Sequence, residues 1–326
     1  MLVNAVCVAE NGKLDIMQKE IPAIKPNEVL VKTMACGLCC WDSWLLRGVN
    51  ARGPMPYVIG HEGAGIVEQV GSLVEHVKVG DKVFAGCGCS EMMAEYFALR
   101  ADCVCKLPDD TADWASVIYE PTCCVVNLLN ITNIQMGDHV VLVGAGYMGL
   151  LALQGLSRAS QAGRVTVFEL REDRRKMAER IDSRIEVLNP ESAEGKCVIQ
   201  EIQGKGGADV CIELGASESG FKLADSMTKE AGKFVIGSFH RGDVMFDGTK
   251  WHLGGLTVYN LAPMSNAHYP EVLPRTRIMI EKGVFDPASL VSHTAYYKDA
   301  PAMDQMFQRS CDKEDGYLKG VILFTE

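Results

Sequence analysis

Short apolar runs, each ended by a glycine, proline, aspartate or asparagine, dominate the first 120 residues of the chain. Runs of this kind are typical of β-strands that end in turns. The predicted strands are LVNAVCVA (2–9), VLVKTMAC (29–36), GIVEQVG (65–71), KVFAGC (82–87) and AEYFALR (94–100). Many short strands joined by frequent turns predict a barrel-like β unit.

After residue 121 the pattern changes, and apolar strands alternate with amphipathic helical segments. Strands are predicted at 139–144, 164–169, 185–188, 208–214, 232–238 and 256–262, and helices at 147–159, 171–181, 192–203 and 217–229. This strict alternation predicts a parallel sheet with helices on both faces. Six strands fit a doubly wound sheet that binds a dinucleotide.

The tail of the chain, from about residue 267, returns to the character of the first part. It contains one predicted helix over 270–283, a β-like stretch SLVSHTAYY and a final strand YLKGVILF. A chain of 326 residues is too long for one compact core and suits two domains. The predicted fold class is α/β, with a β-barrel domain over 1–121 that residues 267–326 complete, and a nucleotide-binding domain over 122–266.

The amino-acid composition and net charge indicate which kinds of molecule the protein is expected to bind. Hydrophobic residues make up 48% and charged residues 23%, and the net charge of −10 disfavours nucleic acid or an anionic membrane as a partner. The N-terminus lacks the features of a secretion signal, and glycines interrupt the longest apolar run, over 140–156. With 13 cysteines and no such signal, we expect mostly free thiols in a reducing cytoplasm, and a small-molecule partner.

The first strand of the predicted sheet runs directly into the glycine-rich turn GAGYMG. Its three glycines permit a tight turn, a close approach of the backbone to a pyrophosphate and close packing of a helix on the strand. The N-terminus of that helix offers N–H groups and a partial positive charge to the phosphates. The predicted cofactor-binding residues are Gly144, Gly146, Tyr147, Met148, Gly149 and Glu169.

Glu169 indicates which nucleotide is preferred, because it stands at the end of the second strand, about 20 residues further on. An acid at this position accepts hydrogen bonds from the adenosine ribose and repels a 2′-phosphate, so NAD is predicted in preference to NADP. Arg171, two residues later, would soften that preference.

Two motifs in the β-rich part offer metal ligands: CGLCCWD over 36–42 and GHE over 60–62. A catalytic zinc needs three protein ligands with sulfur, nitrogen or oxygen donors and one open position. Cys39 offers a thiolate and His61 an imidazole. The third donor is expected from IYEPTCC, where Glu120 ranks ahead of its rivals Cys123 and Cys124.

The cysteines also allow two other interpretations. A disulfide between the neighbours Cys39 and Cys40 would be strained and is disfavoured in reducing conditions. A redox pair of Cys36 and Cys39 has the right spacing, but such pairs sit at a helix start in a small βαβ fold rather than in a β domain.

The segment GHEGAGIVEQVGSLVEHVKVGDKV over 60–83 resembles the zinc alcohol dehydrogenase signature of the medium-chain dehydrogenase/reductase superfamily. The resemblance continues through EVLVKTMACGLC, AEY, YEP, GAGYMG and GADVCIELGAS, and the sorbitol and polyol dehydrogenase branch fits best. It implies a GroES-like domain interrupted by a Rossmann domain. It also implies one catalytic zinc on Cys39, His61 and Glu120, with Glu62 able to ligate it transiently or through water and Asp42 orienting His61.

The chain departs from the family pattern at three places. Trp41 replaces a serine or threonine and Trp44 a histidine, and both replaced residues belong to the family's proton relay. The structural zinc lobe is missing, since Cys87 and Cys89 cannot form a four-ligand site alone. Trp41, Trp44 and Met93 are predicted to line the substrate pocket, although large aromatic residues also pack in cores.

The resemblance implies reversible oxidation of a secondary alcohol, of polyol, sugar or cyclitol type, with zinc and NAD. The alternatives are a zinc-free quinone or enoyl reductase of the same superfamily and a non-catalytic relative that binds NAD. A homodimer or homotetramer is expected, because family members commonly extend the sheet across a dimer axis at the strand that corresponds to 256–262.

Overall fold

The computed structural model describes residues 1–49, 54–86, 91–261 and 269–325. The described residues of 1–123, 263–281 and 286–326 pack as one unit, and those of 124–262 and 282–285 as a second. The sequence placed the domain boundaries at 121/122 and 266/267. It did not anticipate that residues 282–285 pack with the second unit.

The first unit is built mainly from short strands. Its elements up to residue 132 are β1 (Leu2–Val8), β2 (Leu14–Glu20), β3 (Glu28–Leu38), α1 (Cys40–Leu46), β4 (Tyr57–Val58), β5 (Glu62–Val70), β6 (Lys82–Ala85), β7 (Tyr96–Arg100), β8 (Val104–Lys106) and α2 (Glu120–Thr132), whose end enters the second unit. Strands β2, β1 and β4 form a small sheet. Strand β3 lies in a larger sheet, where it pairs antiparallel with β5. A Cβ at Gly65 of β5 would overlap with the carbonyl oxygen of Lys32, so only glycine allows this close pairing.

The second unit alternates strands and helices. Its elements are β9 (His139–Val143), α3 (Tyr147–Ala159), β10 (Arg164–Phe168), α4 (Glu172–Ile181), β11 (Glu186–Leu188), α5 (Ala193–Gly204), β12 (Ala208–Glu213), α6 (Glu218–Met227), β13 (Thr228–Ile236), α7 (Gly248–Leu253) and β14 (Thr257–Asn260). The strands form a parallel sheet in the order β11-β10-β9-β12-β13-β14. This is the doubly wound order 3-2-1-4-5-6.

The rest of the chain returns to the first unit through α8 (Tyr269–Glu281), β15 (His293–Tyr296), α9 (Ala300–Asp312) and β16 (Gly320–Leu323). Strand β16 lies between β15 and β3, so the larger sheet has the order β15-β16-β3-β5-β6-β8, with β7 paired to β3. The α/β fold class is thereby confirmed, with a β domain and a Rossmann sheet.

The prediction of a single helix in the tail was wrong, and the helix predicted at 217–229 is present but shorter. The tail holds a second helix, α9, because Asp299 accepts a hydrogen bond from the backbone N–H of Ala302 and the buried Met303, Met306 and Phe307 share one helical face. The predicted helix 217–229 ends at Met227, and β13 begins at the next residue.

Candidate functional site

Cys39, His61 and Glu62 lie together in the first unit. One ligand atom of each, the sulfur, a ring nitrogen and a carboxylate oxygen, lies within 4.8 Å of the other two. The pairing of Gly37 with Glu62 across β3 and β5 explains the proximity, because Cys39 follows the end of one strand and His61 precedes the start of the other. Two residues far apart in the sequence thus share one end of a strand pair.

Asp42 fixes the backbone on both sides of this cluster. Its Oδ2 accepts a hydrogen bond from the N–H of Cys39 at 3.1 Å and its Oδ1 one from the N–H of Gly60 at 3.0 Å. The same Oδ1 lies 3.8 Å from Nδ1 of His61, which is an electrostatic contact and too long for a hydrogen bond. Asp42 is 1% exposed, so this arrangement is sheltered from water.

Lys319, just before β16, meets the cluster from the opposite end of the chain. Its ammonium forms an ion pair with Oε2 of Glu62 and donates to the carbonyl oxygen of Leu38 at 3.2 Å. Lys319 and Glu62 are 3% and 2% exposed. A Cβ at Gly37 would overlap with the same Oε2, so the glycine makes room for the buried carboxylate.

The charges of the cluster shift its pKa values. The hydrogen bond from Cys40 and the proximity of His61 hold the pKa of the Cys39 thiol well below its usual value. Burial acts against a charged His61, yet Cys39 and Asp42 raise the pKa of His61 well above its usual value. Burial raises the pKa of Glu62 to about 7, against the attraction of Lys319. Without a metal ion, these shifts favour a thiolate at Cys39 beside an imidazolium at His61. A metal ion that binds both side chains releases the proton from the imidazole.

The donor set of Cys39 and His61 fits a zinc ion. Sulfur and nitrogen atoms bound to one tetrahedral zinc lie roughly 3.5 Å apart, within the spacing of this cluster. One thiolate, one imidazole and one carboxylate oxygen match the mixed donors of catalytic zinc sites.

Glu120 lies outside the group of three, although it is among the described residues. It begins α2, is 4% exposed and is near enough for its charge to raise the pKa values of His61 and Glu62. Its rivals Cys123 and Cys124 are buried in α2. The structure therefore gathers Glu62 with Cys39 and His61, whereas the sequence favoured Glu120, and the ligand role of Glu120 stays a prediction.

The argument against a Cys36–Cys39 redox pair was partly wrong. Cys39 does stand at a helix start, as the N-cap of α1. Cys36, however, is fully buried in β3, and burial raises the pKa of its thiol well above the usual value. A protonated, inaccessible thiol is a poor redox partner. Cys87 and Cys89, on which the missing zinc lobe was judged, lie outside the described residues.

The structure corrects the expectation that Met93 lines the pocket. Met93 is fully buried in the hydrophobic core of the first unit, where its side chain fills the space beside Gly60. Trp44 is 9% exposed, and Trp41 is partly buried and packs against the same core. The pocket role of the two tryptophans stays a prediction.

The glycine-rich turn of the second unit requires glycine at Gly144 and Gly149. Gly144 has a φ of 98°, a left-handed conformation, and a Cβ there would lie 2.7 Å from the backbone nitrogen of Gly215. A Cβ at Gly149 would overlap with the carbonyl oxygen of Gly144. A Cβ at Gly146 would meet only open space, and Gly146 is the N-cap of α3 without a side-chain cap. The turn thus leaves the start of α3, with the half-buried Tyr147 and Met148, open for a ligand.

Glu169 links this turn to the next strand. Its Oε2 accepts a hydrogen bond from the N–H of Ala145 at 2.6 Å, and its Oε1 accepts one from the N–H of Arg171 at 2.9 Å. Each carboxylate oxygen has a second lone pair, so the side chain keeps acceptor capacity for hydroxyl groups.

Buried Glu213 braces the turn that packs against Gly144. Its Oε1 accepts from the N–H groups of Gly215 and Ala216 at 2.7 and 2.8 Å. Its Oε2 is bonded by the hydroxyl of Ser238 and by Nε2 of His240, the latter at 2.7 Å. His240 thus has a structural partner in Glu213.

Two family models match the chain. Residues 25–109 match the alcohol dehydrogenase GroES-like domain, and residues 148–277 match the zinc-binding dehydrogenase domain. The chain belongs to the medium-chain alcohol dehydrogenase superfamily. It is a zinc-type, alcohol dehydrogenase-like oxidoreductase.

Relatives of this dehydrogenase extend over most of its length. The zinc-type alcohol dehydrogenase-like protein YdjJ of Escherichia coli is 26% identical, with 97% of each chain covered. The D-xylulose reductase of Saccharomyces cerevisiae is 26% identical over 74% of this chain and 77% of its own. An Escherichia coli oxidoreductase/dehydrogenase of unknown specificity, involved in membrane biogenesis, has a solved structure with a TM-score of 0.85, 25% identity and complete coverage of both chains.

Lys319, which pairs with Glu62 in the candidate site, was not identified from the sequence of this dehydrogenase. A lysine just before a C-terminal strand carries no motif, and its contact with Glu62 spans 257 positions. Among the described residues, no helix of the dehydrogenase has both the length and the apolar character that a membrane span requires.

Proposed function

We propose that the protein is a zinc-dependent dehydrogenase that transfers a hydride between a secondary alcohol, of polyol, sugar or cyclitol type, and NAD. The observation that carries this proposal is the cluster of Cys39, His61 and Glu62, held by Asp42. The glycine-rich turn with Glu169 supports NAD as the cofactor. The likeness to D-xylulose reductase supports a polyol-type substrate.

Cys39, His61 and Glu120 would hold the zinc ion, with Glu62 close by. We keep Glu120 as the third ligand because Lys319 already pairs with the Glu62 carboxylate, and Glu120 is buried within electrostatic range of His61. Bound zinc supplies a Lewis acid that lowers the pKa of an alcohol hydroxyl, and bound NAD accepts the hydride.

The protein's own side chains orient the zinc ligands and hold the alcohol proton. Asp42 fixes the backbone of Cys39 and Gly60 and so orients the two ligands. Glu62, a buried carboxylate beside Cys39 and His61, is placed to hold the alcohol proton. Trp41 takes the place of the hydroxyl residue in the family's proton relay, which makes Glu62 the better candidate for this task.

Metal analysis and a substrate panel test the proposal. We expect about one zinc per chain by mass spectrometry and a growth of NADH absorbance with polyols, both lost after chelation and restored by zinc. Turnover without any metal would instead favour the zinc-free quinone or enoyl reductase. NAD binding with neither metal nor turnover would favour the non-catalytic relative.

Two variants separate the rival third ligands. Glu120→Ala should lower the zinc content sharply, whereas Glu62→Gln should retain zinc and lower the rate. The reverse pattern would assign the ligand role to Glu62.

A further inference from the structure

The guanidinium of Arg171 is held by a carboxylate two residues further on. Its Nε donates to Oδ1 of Asp173 at 3.0 Å and its Nη2 donates to Oδ2 at 2.8 Å. Both donors of one edge of the guanidinium fork therefore meet both oxygens of one carboxylate. The backbone N–H of Arg171 is bonded to Glu169, so this pair begins directly beside the acid expected to face the adenosine ribose.

We propose that Asp173 is a specificity-determining residue, which retains Arg171 in a bidentate pair and so keeps the protein selective for NAD over NADP. The inference rests on the proposed NAD dependence and adds a second element to it. Glu169 repels a 2′-phosphate directly, while Asp173 withholds the cation that would compensate for the repulsion.

The chemical difference between NAD and NADP, a 2′-phosphate, supports these separate roles of Glu169 and Asp173. An arginine near the end of the second strand is what accommodates a 2′-phosphate in NADP-binding sheets. A guanidinium bonded through two donors to a carboxylate has fewer donors left for a phosphate, and the carboxylate adds its own repulsion. The hydrogen bond from Arg171 lowers the pKa of Asp173, so the carboxylate is charged at neutral pH.

The neighbouring arginines are also engaged. Arg174 is 6% exposed, and its Nε lies 3.6 Å from Oδ2 of Asp173. Arg175 donates to the backbone carbonyl oxygens of Glu169 and Leu170. Asp173 therefore sits among the cations nearest the strand end, and its removal would leave them in excess.

A purely structural role for Asp173 makes a different prediction. Asp173 is an acid in the first turn of α4, where a negative charge stabilises the helix N-terminus. A structural role would lower the melting temperature on substitution and weaken NADH and NADPH binding equally. A role in specificity changes the ratio of the two affinities.

The test is the ratio of dissociation constants for NADH and NADPH, measured by titration of the metal-loaded protein. Asp173→Ala should shift the ratio about fivefold to tenfold toward NADPH, and Asp173→Asn should shift it in the same direction by less. Adding Arg171→Ala to Asp173→Ala should abolish the gain. Asp182→Asn is the matched control, because Asp182 holds Arg184 in the same bidentate, two-residue geometry.

Each outcome decides one of the two proposals. NADH binding by the wild type with an unchanged ratio in Asp173→Ala overturns the inference and leaves the proposed function standing. A gain that persists without Arg171, or that Asp182→Asn reproduces, also overturns it. Failure of the wild type to bind NADH overturns the proposed function and the inference together.

Discussion

Asp42 shows how much of the metal centre depends on one carboxylate. An amide at this position keeps one acceptor oxygen, but its NH₂ group faces a backbone N–H, because both carboxylate oxygens now accept such bonds. For Asp42→Asn we expect zinc affinity and the rate to fall by about 10- to 100-fold, as for other groups that orient metal ligands.

Competition with a chelator measures the zinc affinity of Asp42→Asn. The matched control is Asp81→Asn, since Asp81 is also buried in the first unit, where it accepts from the N–H of Lys78 and pairs with Lys106. Equal zinc affinities in the two variants would contradict the role given to Asp42.

Lys319 balances a buried charge. Removing one partner of a buried ion pair leaves the other uncompensated, which typically costs about 3–5 kcal/mol. Lys319→Met should therefore lower the free energy of unfolding of the metal-free protein at alkaline pH, where Glu62 is charged. Adding Glu62→Gln should recover part of the loss, as urea unfolding would show. No recovery would mean that the lysine acts through its packing alone.

His139 gives the second unit a pH dependence. Burial lowers the pKa of His139 from its usual 6.5, and Arg164 adds to the effect. Below about pH 6.5 the unfolded chain therefore binds a proton that the folded protein does not, so stability rises with pH in this window and falls on acidification. His139→Gln should flatten the stability curve between about pH 5 and 7 in urea titrations. A curve parallel to that of the wild type would contradict this.

At the scale of elements, the glycine-rich turn depends on the contact between β9 and α3. The Cβ introduced by Gly149→Ala would overlap with the carbonyl oxygen of Gly144. We expect a loss of stability of about 1–3 kcal/mol and much weaker NADH binding, both measurable by thermal unfolding with and without the nucleotide. Gly204→Ala, at the end of α5 with open space around it, should be neutral or stabilising.

The elements differ in how far the sequence predicts them. The six parallel strands and helices α3 to α6 follow from the alternation of apolar and amphipathic segments, whereas the short helix α7 was not predicted. Helix α9 was missed although Met303, Met306 and Phe307 are spaced for one face, since its N-terminal Pro301 resembles a loop. Helix α8 contains Pro274, which argues against a helix locally, and burial of Val272 and Leu273 outweighs it.

The candidate site, too, could be predicted from the sequence only in part. Cys39 and His61 belong to motifs whose family resemblance implies that they meet, and the pairing of β3 with β5 brings them together. The partnership of Glu62 with Lys319 depends on which strand lies beside β3, and β16 comes from the far end of the chain. Met93 carries no local sign of whether it faces a pocket or the core.

At the scale of the whole molecule, β14 ends the parallel sheet. No described strand pairs with its outer edge, which leaves backbone N–H and C=O groups available to a second chain. We expect two copies to join their sheets through β14. Light scattering after size exclusion would then report twice the chain mass of 35.6 kDa, or four times if dimers pair.

Proline substitutions in β14 test this expectation. Successive residues of a strand point their N–H groups to opposite sides, so Val258→Pro and Tyr259→Pro remove one outward-facing and one inward-facing donor between them. One variant should give a folded monomer and the other a damaged sheet. Two folded dimers would show that β14 is not the contact.

The position of Lys319 late in the chain also determines when its contacts can form during synthesis. The carbonyl of Leu38 that Lys319 holds is separated from it by 281 positions, so the ribosome makes one partner long before the other. At about 5–20 residues per second, the segment that carries Leu38 and Glu62 is made many seconds before the ammonium of Lys319. The buried carboxylate of Glu62 therefore gains its counter-ion only after the segment that leads into β16 has been made and β16 has paired with β3.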